Sequence, residues 1–144
     1  MKQKILSLVI LLGLYACEAQ PEPIHYGTDL CYNCKMTLMD EKFGCELVTQ
    51  KGKVFKFDDL ICMRRFLHSG TVATKDIKQL VVVNYEKKGD WLAVEKAYFL
   101  VATHIQSPMG SNTSAFSTRE AALRNNTGGA GVLKSWGELE KTPF

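Results

Sequence analysis

The sequence predicts an α+β fold made of two small ββαβ halves packed together, and three observations carry that expectation. Short β-like runs come in pairs, each pair is followed by a stretch with helical spacing, and a strand-ending Phe with a polar cap recurs as Phe57-Asp58-Asp59 and Phe116-Ser117-Thr118. In the first half, Phe43–Thr49 and Val54–Phe57 flank the turn Gln50-Lys51-Gly52-Lys53 and read as a hairpin. Asp58 or Asp59 offers an N-cap, after which Leu60, Met63, Phe66 and Leu67 recur at helical spacing as far as His68-Ser69-Gly70. The β-branched run Leu80–Tyr85 supplies a return strand before an expected turn at Lys87-Lys88-Gly89-Asp90. In the second half, Ala97–Ala102 is a strand, a loop runs through Pro108-Met109-Gly110, and a short strand ends at Phe116. Ser117 and Glu120 have capping-box spacing for the next helix, which Asn126-Thr127-Gly128-Gly129 stops. Gly131–Lys134 returns as the last strand, and Trp136–Leu139 closes with an apolar lid or a turn of helix. Each half is too small to bury a sufficient core alone, so the two are expected to share one.

Ahead of these halves lies an export signal. Lys2 and Lys4 precede the apolar stretch Ile5–Ala16, whose twelve residues fall short of a membrane span. Leu14-Tyr15-Ala16-Cys17 resembles a lipobox, so residues 1–16 are expected to be removed and Cys17 to carry the lipid. Glu18-Ala19-Gln20-Pro21-Glu22-Pro23 reads as a polar, proline-stiffened part of a tether over 17–28. The expected organisation is then a first half at 29–89 and a second at 90–144. Loss of the signal removes two lysines and no acid, leaving a charge of about +1, so the basic character of the precursor says nothing of partners. No Lys/Arg cluster interleaved with aromatics is present, which argues against nucleic acid as a partner.

With Cys17 assigned to lipid, Cys31, Cys34, Cys45 and Cys62 remain. Cys31 and Cys34 form a Cys-x-x-Cys that continues through Met36 and Met39, a set of soft sulfur donors suited to Cu(I) and not to calcium or magnesium. Three other readings stay open. In an oxidising compartment Cys31–Cys34 and Cys45–Cys62 are possible disulfides, four cysteines could hold zinc, and Cys-x-x-Cys is also a thioredoxin-like redox motif. Met39 and Met63 read as packing residues. His25 falls in the tether, His68 at a helix end, and His104 five residues before Met109, each a weaker ligand candidate than the sulfurs. Asp58 and Asp59 have an ordinary role as helix caps.

Four ordered blocks behind the lipobox resemble the NosL family: Asp29–Met36, Phe57-Asp58-Asp59 with Cys62-Met63, Lys96-Ala97-Tyr98-Phe99, and Met109-Gly110 through Ala115-Phe116. The likeness covers nearly the whole mature chain. It implies a copper-binding lipoprotein, accessory to maturation of nitrous oxide reductase, with Cu(I) held by cysteine and methionine sulfur in two ββαβ halves like those of organomercurial lyase. Cys34 and Met36 match the family's Cys-Gly-Met segment and Met109 its Met-Gly loop, with Lys35 where glycine is common and Ala115-Phe116 where Pro-Phe is common. Cys31 is a second cysteine present in some members. The resulting expectation is a non-enzymatic Cu(I) chaperone of the cell envelope, using Cys34, Met36, Cys31 and Met109, anchored through Cys17 to a membrane it faces from the periplasmic side. Its partner is a copper acceptor at that membrane, because the short tether confines the site to within about 50 Å of the lipid. The competing expectation is a tethered thiol–disulfide oxidoreductase using Cys31 and Cys34, and a third is a structural lipoprotein whose cysteines only staple the fold.

Overall fold

The structure is a computed structural model that describes residues 18–143; the export signal and Cys17 lie outside the described residues. Strands β1 (Cys45–Thr49) and β2 (Val54–Phe57) pair antiparallel from Cys45↔Phe57 to Val48↔Val54. Phe55 and Phe57 alternate inward on β2, as the period of a strand requires. Helix α1 (Leu60–His68) starts where Asp59 Oδ1 accepts the Ile61 N–H at 3.0 Å, and it buries Leu60, Cys62, Met63 and Phe66. Strand β3 (Ile77–Asn84) then pairs with β1, Cys45 opposite Val82, which completes the expected ββαβ order.

The expected turn at Lys87–Asp90 lies instead inside a further strand, β4 (Lys87–Ala93), which extends the sheet to the order β2-β1-β3-β4. The chain reverses earlier, at Tyr85-Glu86, because Asn84 supplies the turn chemistry. Its Oδ1 accepts the Glu86 N–H at 3.2 Å and its Nδ2 donates to Asp90 Oδ2 at 2.9 Å. A division at 89/90 therefore cuts β4.

The second half repeats the plan, with β5 (Tyr98–Val101), β6 (Thr113–Phe116), α2 (Arg119–Asn125) and β7 (Val132–Lys134) in a sheet of order β6-β5-β7. The cap of α2 is Thr118, whose Oγ1 accepts the Ala121 N–H at 3.1 Å, and not the expected Ser117. In both halves the second polar residue after the strand-ending Phe has extended backbone and caps the helix: Asp59 after Phe57, Thr118 after Phe116. The Trp136 segment forms a third helix, α3 (Trp136–Lys141), where Ser135 N–H and Oγ–H both donate to Glu138 Oε2 at 2.7 Å. One apolar cluster joins the halves, with Phe57, Cys62 and Val82 from the first against Phe99, Ala115 and Trp136 from the second. A hydrogen bond from Tyr85 N–H to Ala115 O, 2.8 Å, ties the end of β3 to β6.

Residues 18–26 lie along the sheet rather than away from it. Ala19 O and Pro23 O accept from Lys78 and Lys56 Nζ, at 2.8 and 3.0 Å. Ile24 and Tyr26 press so closely on β1's approach that a Cβ on Gly44 would lie 2.6 Å from both side chains. Beneath this strap Glu46 is fully buried; its Oε2 accepts the Glu22 N–H at 3.0 Å and its Oε1 has no partner. Lys56, its neighbour across β1 and β2, turns its ammonium to Asp29 at 2.8 Å instead. Burial therefore pushes the Glu46 carboxyl from about 4.5 up to about 7. The folded chain holds this proton more tightly than the unfolded one, so the contribution to stability is full below about pH 4.5 and is lost as pH rises through about 7, a change on the order of 3 kcal/mol. Urea unfolding between about pH 5 and pH 7 is expected to show a flatter pH dependence for Glu46→Gln than for the wild type. Equal slopes would mean that Glu46 ionises in the fold as it does in water.

Candidate metal centre

The centre is assembled by a tight turn docked on a sheet edge. Cys31 N–H donates to Met36 O at 2.8 Å and Lys35 N–H to Cys31 O at 2.9 Å, so the Cys-x-x-Cys closes on itself. Lys35 sits at φ +66°, in the left-handed region that glycine enters freely. Its ammonium offsets part of that strain by donating to Tyr32 O at 2.6 Å and lying 4.3 Å above the Tyr32 ring. Because β2 is an edge strand, its free carbonyls can hold the turn, and Tyr32 N–H donates to Lys56 O at 2.8 Å. This docking drives Cys31 into the core, fully buried, and leaves Cys34 half-buried at the rim.

Two further groups meet the turn. Cys62, fully buried in the first turn of α1, and Asp58, between β2 and α1, bring their donor atoms to the same point. The donor atoms of Cys31, Cys34, Asp58 and Cys62 all lie within 4.8 Å of one another. Cys34 Sγ donates toward Asp58 Oδ1 and Oδ2 at 3.5 and 3.7 Å. The Cys62 thiol donates to Cys31 and, with other local donors, lowers the Cys31 thiol to about 6, while burial pushes Cys34 up to about 11. Cys62 itself is raised, as the donor to Cys31 and by burial. Burial and mutual repulsion thus oppose ionising all three thiols together, a cost that a bound cation would offset. The three sulfurs are soft donors, and the Asp58 carboxylate beside them adds one hard oxygen.

Of the residues expected to ligate, the structure brings Cys31 and Cys34 into the cluster. Met36 follows directly on the turn and is 56% exposed. Met109 is half-buried and packs on the same apolar cluster as Cys34. Its loop is stitched to α1 by Asp59, whose Oδ2 accepts the Met109 N–H at 2.9 Å and the Ser111 N–H at 3.4 Å. Cys62 and Asp58 were not anticipated as part of the site; the Phe57-Asp58-Asp59-x-x-Cys62 spacing was the available signal, since it places a thiol in the helix turn next to the end of β2. Asp59 alone takes the capping role, which frees Asp58 to face Cys34. The four described cysteines are free thiols, and Cys45 stands apart with its Sγ donating to Phe43 O at 3.3 Å. The histidines are engaged elsewhere: His104 Nε2 with Asn125 O at 2.9 Å, His68 Nδ1 with Arg64 O at 2.9 Å, and His25 3.6 Å from Asp29.

Fold and site together define a class: a two-sheet α+β domain that carries a thiol-rich pocket at the meeting point of an N-terminal turn and a helix start. The chain belongs to the NosL family, whose sequence pattern matches residues 24–143. Among solved structures it is similar to the crystal structure of the copper chaperone NosL from Shewanella denitrificans, with a TM-score of 0.65 and 22% identity over 83% of this chain and 95% of that one. No curated protein matches the sequence.

Proposed function

We propose that this protein is a Cu(I) chaperone of the cell envelope, anchored through lipid on Cys17, that passes copper to a cuproenzyme assembly system such as that of nitrous oxide reductase. The observation that carries the reading is the convergence of Cys31, Cys34 and Cys62, with Asp58, within 4.8 Å. Two thiols are sealed in the core while Cys34 is reachable from solvent, so the ion is held from below and exchanged from above. The thioethers of Met36 and Met109, on the two loops beside the cluster, are the remaining soft donors for the cargo. Membership of the family and the likeness to a copper chaperone support the same reading. The N-terminal signal and lipobox support the envelope location.

An oxidoreductase fits the geometry less well. Attack on an external disulfide needs an accessible thiolate, yet Cys31 is fully buried and burial pushes the accessible Cys34 thiol up, to about 11. A competitive Cu(I) titration of the reduced protein against a strong chromogenic chelator decides the matter. One Cu(I) per chain, retained in the presence of Zn(II), is expected. Displacement by zinc, or no retention, overturns the reading, and insulin reduction by the metal-free protein would favour the oxidoreductase.

A further inference from the structure

Four of the seven large apolar residues left exposed among the described residues fall in one ten-residue segment: Leu30 (58%), Tyr32 (39%), Met36 (56%) and Met39 (71%). That segment is the turn bearing Cys31 and Cys34. A chain able to bury this many apolar groups elsewhere has no folding reason to display them together. Lys35 and Lys53 stand over Tyr32, 4.3 and 5.8 Å from its ring centre, and Lys53 lies 4.4 Å from that of Phe55. Neither lysine pairs with a carboxylate among the described residues, whereas Lys56, Lys78, Lys87 and Lys88 all do. Near Met39 the charge is mixed, with Asp40 and the Glu41–Lys88 pair, so the uncompensated positive charge is on the Tyr32 side.

We propose that this face is where the protein exchanging copper with this chain docks, and that the partner presents an acidic rim around its own sulfur donor. The proposal rests on the chaperone reading and adds the partner's chemistry to it. Cys34 is the reachable thiol of the cluster, so an incoming sulfur must approach across this surface. The apolar residues exclude water around the exchange, and the two ammoniums select and steer an acidic face. A bilayer fits the same surface less well, since immersing it would carry Asp58, beside Cys34, toward lipid and close the path by which copper leaves.

The test uses the copper-loaded full chain and two synthetic acceptor peptides with the same Met-x-x-Met core, one flanked by Asp and Glu, the other by Asn and Gln. Stopped-flow transfer is expected to be roughly ten-fold faster to the acidic peptide at low salt, with the advantage lost at high salt. Lys53→Gln, outside the metal-binding turn, should lose a large part of that advantage while keeping its Cu(I) affinity, and Lys141→Gln, on α3, should keep both. Equal rates to the two peptides, or an advantage undiminished in Lys53→Gln, overturns the proposal. So does lysine-dependent binding to phosphatidylglycerol vesicles that blocks peptide docking, which would assign the face to the membrane. A chain that takes up no Cu(I) refutes the chaperone reading and this face with it; a chain that loads copper without charge preference refutes the face alone.

Discussion

Cys62→Ser is expected to lower Cu(I) affinity by about 100-fold or more while leaving the fold intact. Loss of a group that merely orients a ligand already costs about 10–100-fold, and removal of a donor sulfur should cost at least as much. Serine is close in size and its hydroxyl can donate to Cys31 as the Cys62 thiol does, but it replaces a soft sulfur by a hard oxygen, which Cu(I) does not favour. Cys62 is fully buried, so no other side chain can reach in to take its place. Cys45→Ser serves as the control, because Cys45 is equally buried but bonds to Phe43 O outside the cluster, and its loss should leave affinity unchanged. Met36→Leu should fall between the two, at about 10-fold, since an exposed thioether is neutral and exchangeable. A chelator competition on the four reduced proteins gives the order directly. If Cys62→Ser matches the wild type while Met36→Leu loses the metal, the ion sits at the rim and the buried thiols are structural.

The contrast between Cys34 and Cys62 shows what a sequence can reveal of such a centre. Cys34 and Cys31 are close in the chain, so their spacing alone makes them a candidate pair. Cys62 joins them only because the turn docks on the free edge of β2, a non-local event with no periodicity to announce it. The two ββαβ halves were legible for the opposite reason: each depends on local alternation, caps and short connections. The errors fall where local chemistry was ambiguous. Lys87-Lys88-Gly89-Asp90 has turn composition, yet Asn84 had already made the turn and left those residues free to pair with β3. The Glu18–Pro23 segment has the composition of a free tether, yet it lies on the sheet, held by Lys56, Lys78 and Glu46. Its docking is again a matter of partners distant in sequence.

Asp59→Ala is expected to destabilise the metal-free protein by about 3 kcal/mol, far more than the equivalent change in the other half. Asp59 is fully buried and serves both ends of its carboxylate. Oδ1 caps α1 through the Ile61 N–H at 3.0 Å, a contribution of about 1 kcal/mol. Oδ2 holds the Met109 N–H at 2.9 Å and the Ser111 N–H at 3.4 Å, and removing it leaves these part-buried donors unsatisfied at a further cost of about 1–3 kcal/mol. Thr118, the matching cap of α2, serves the Ala121 N–H alone, so Thr118→Ala should cost only about 1 kcal/mol. Urea denaturation of both variants checks the difference. Because Asp59 is also what fixes the Met109 loop against the start of α1, Asp59→Ala should weaken Cu(I) binding as well, whereas Thr118→Ala should not. Equal stability losses in the two variants would show that the Met109 loop is held by packing rather than by Asp59. An Asp59→Ala protein that is destabilised yet binds copper at full affinity would show that the loop stabilises the fold without supplying a donor to the metal.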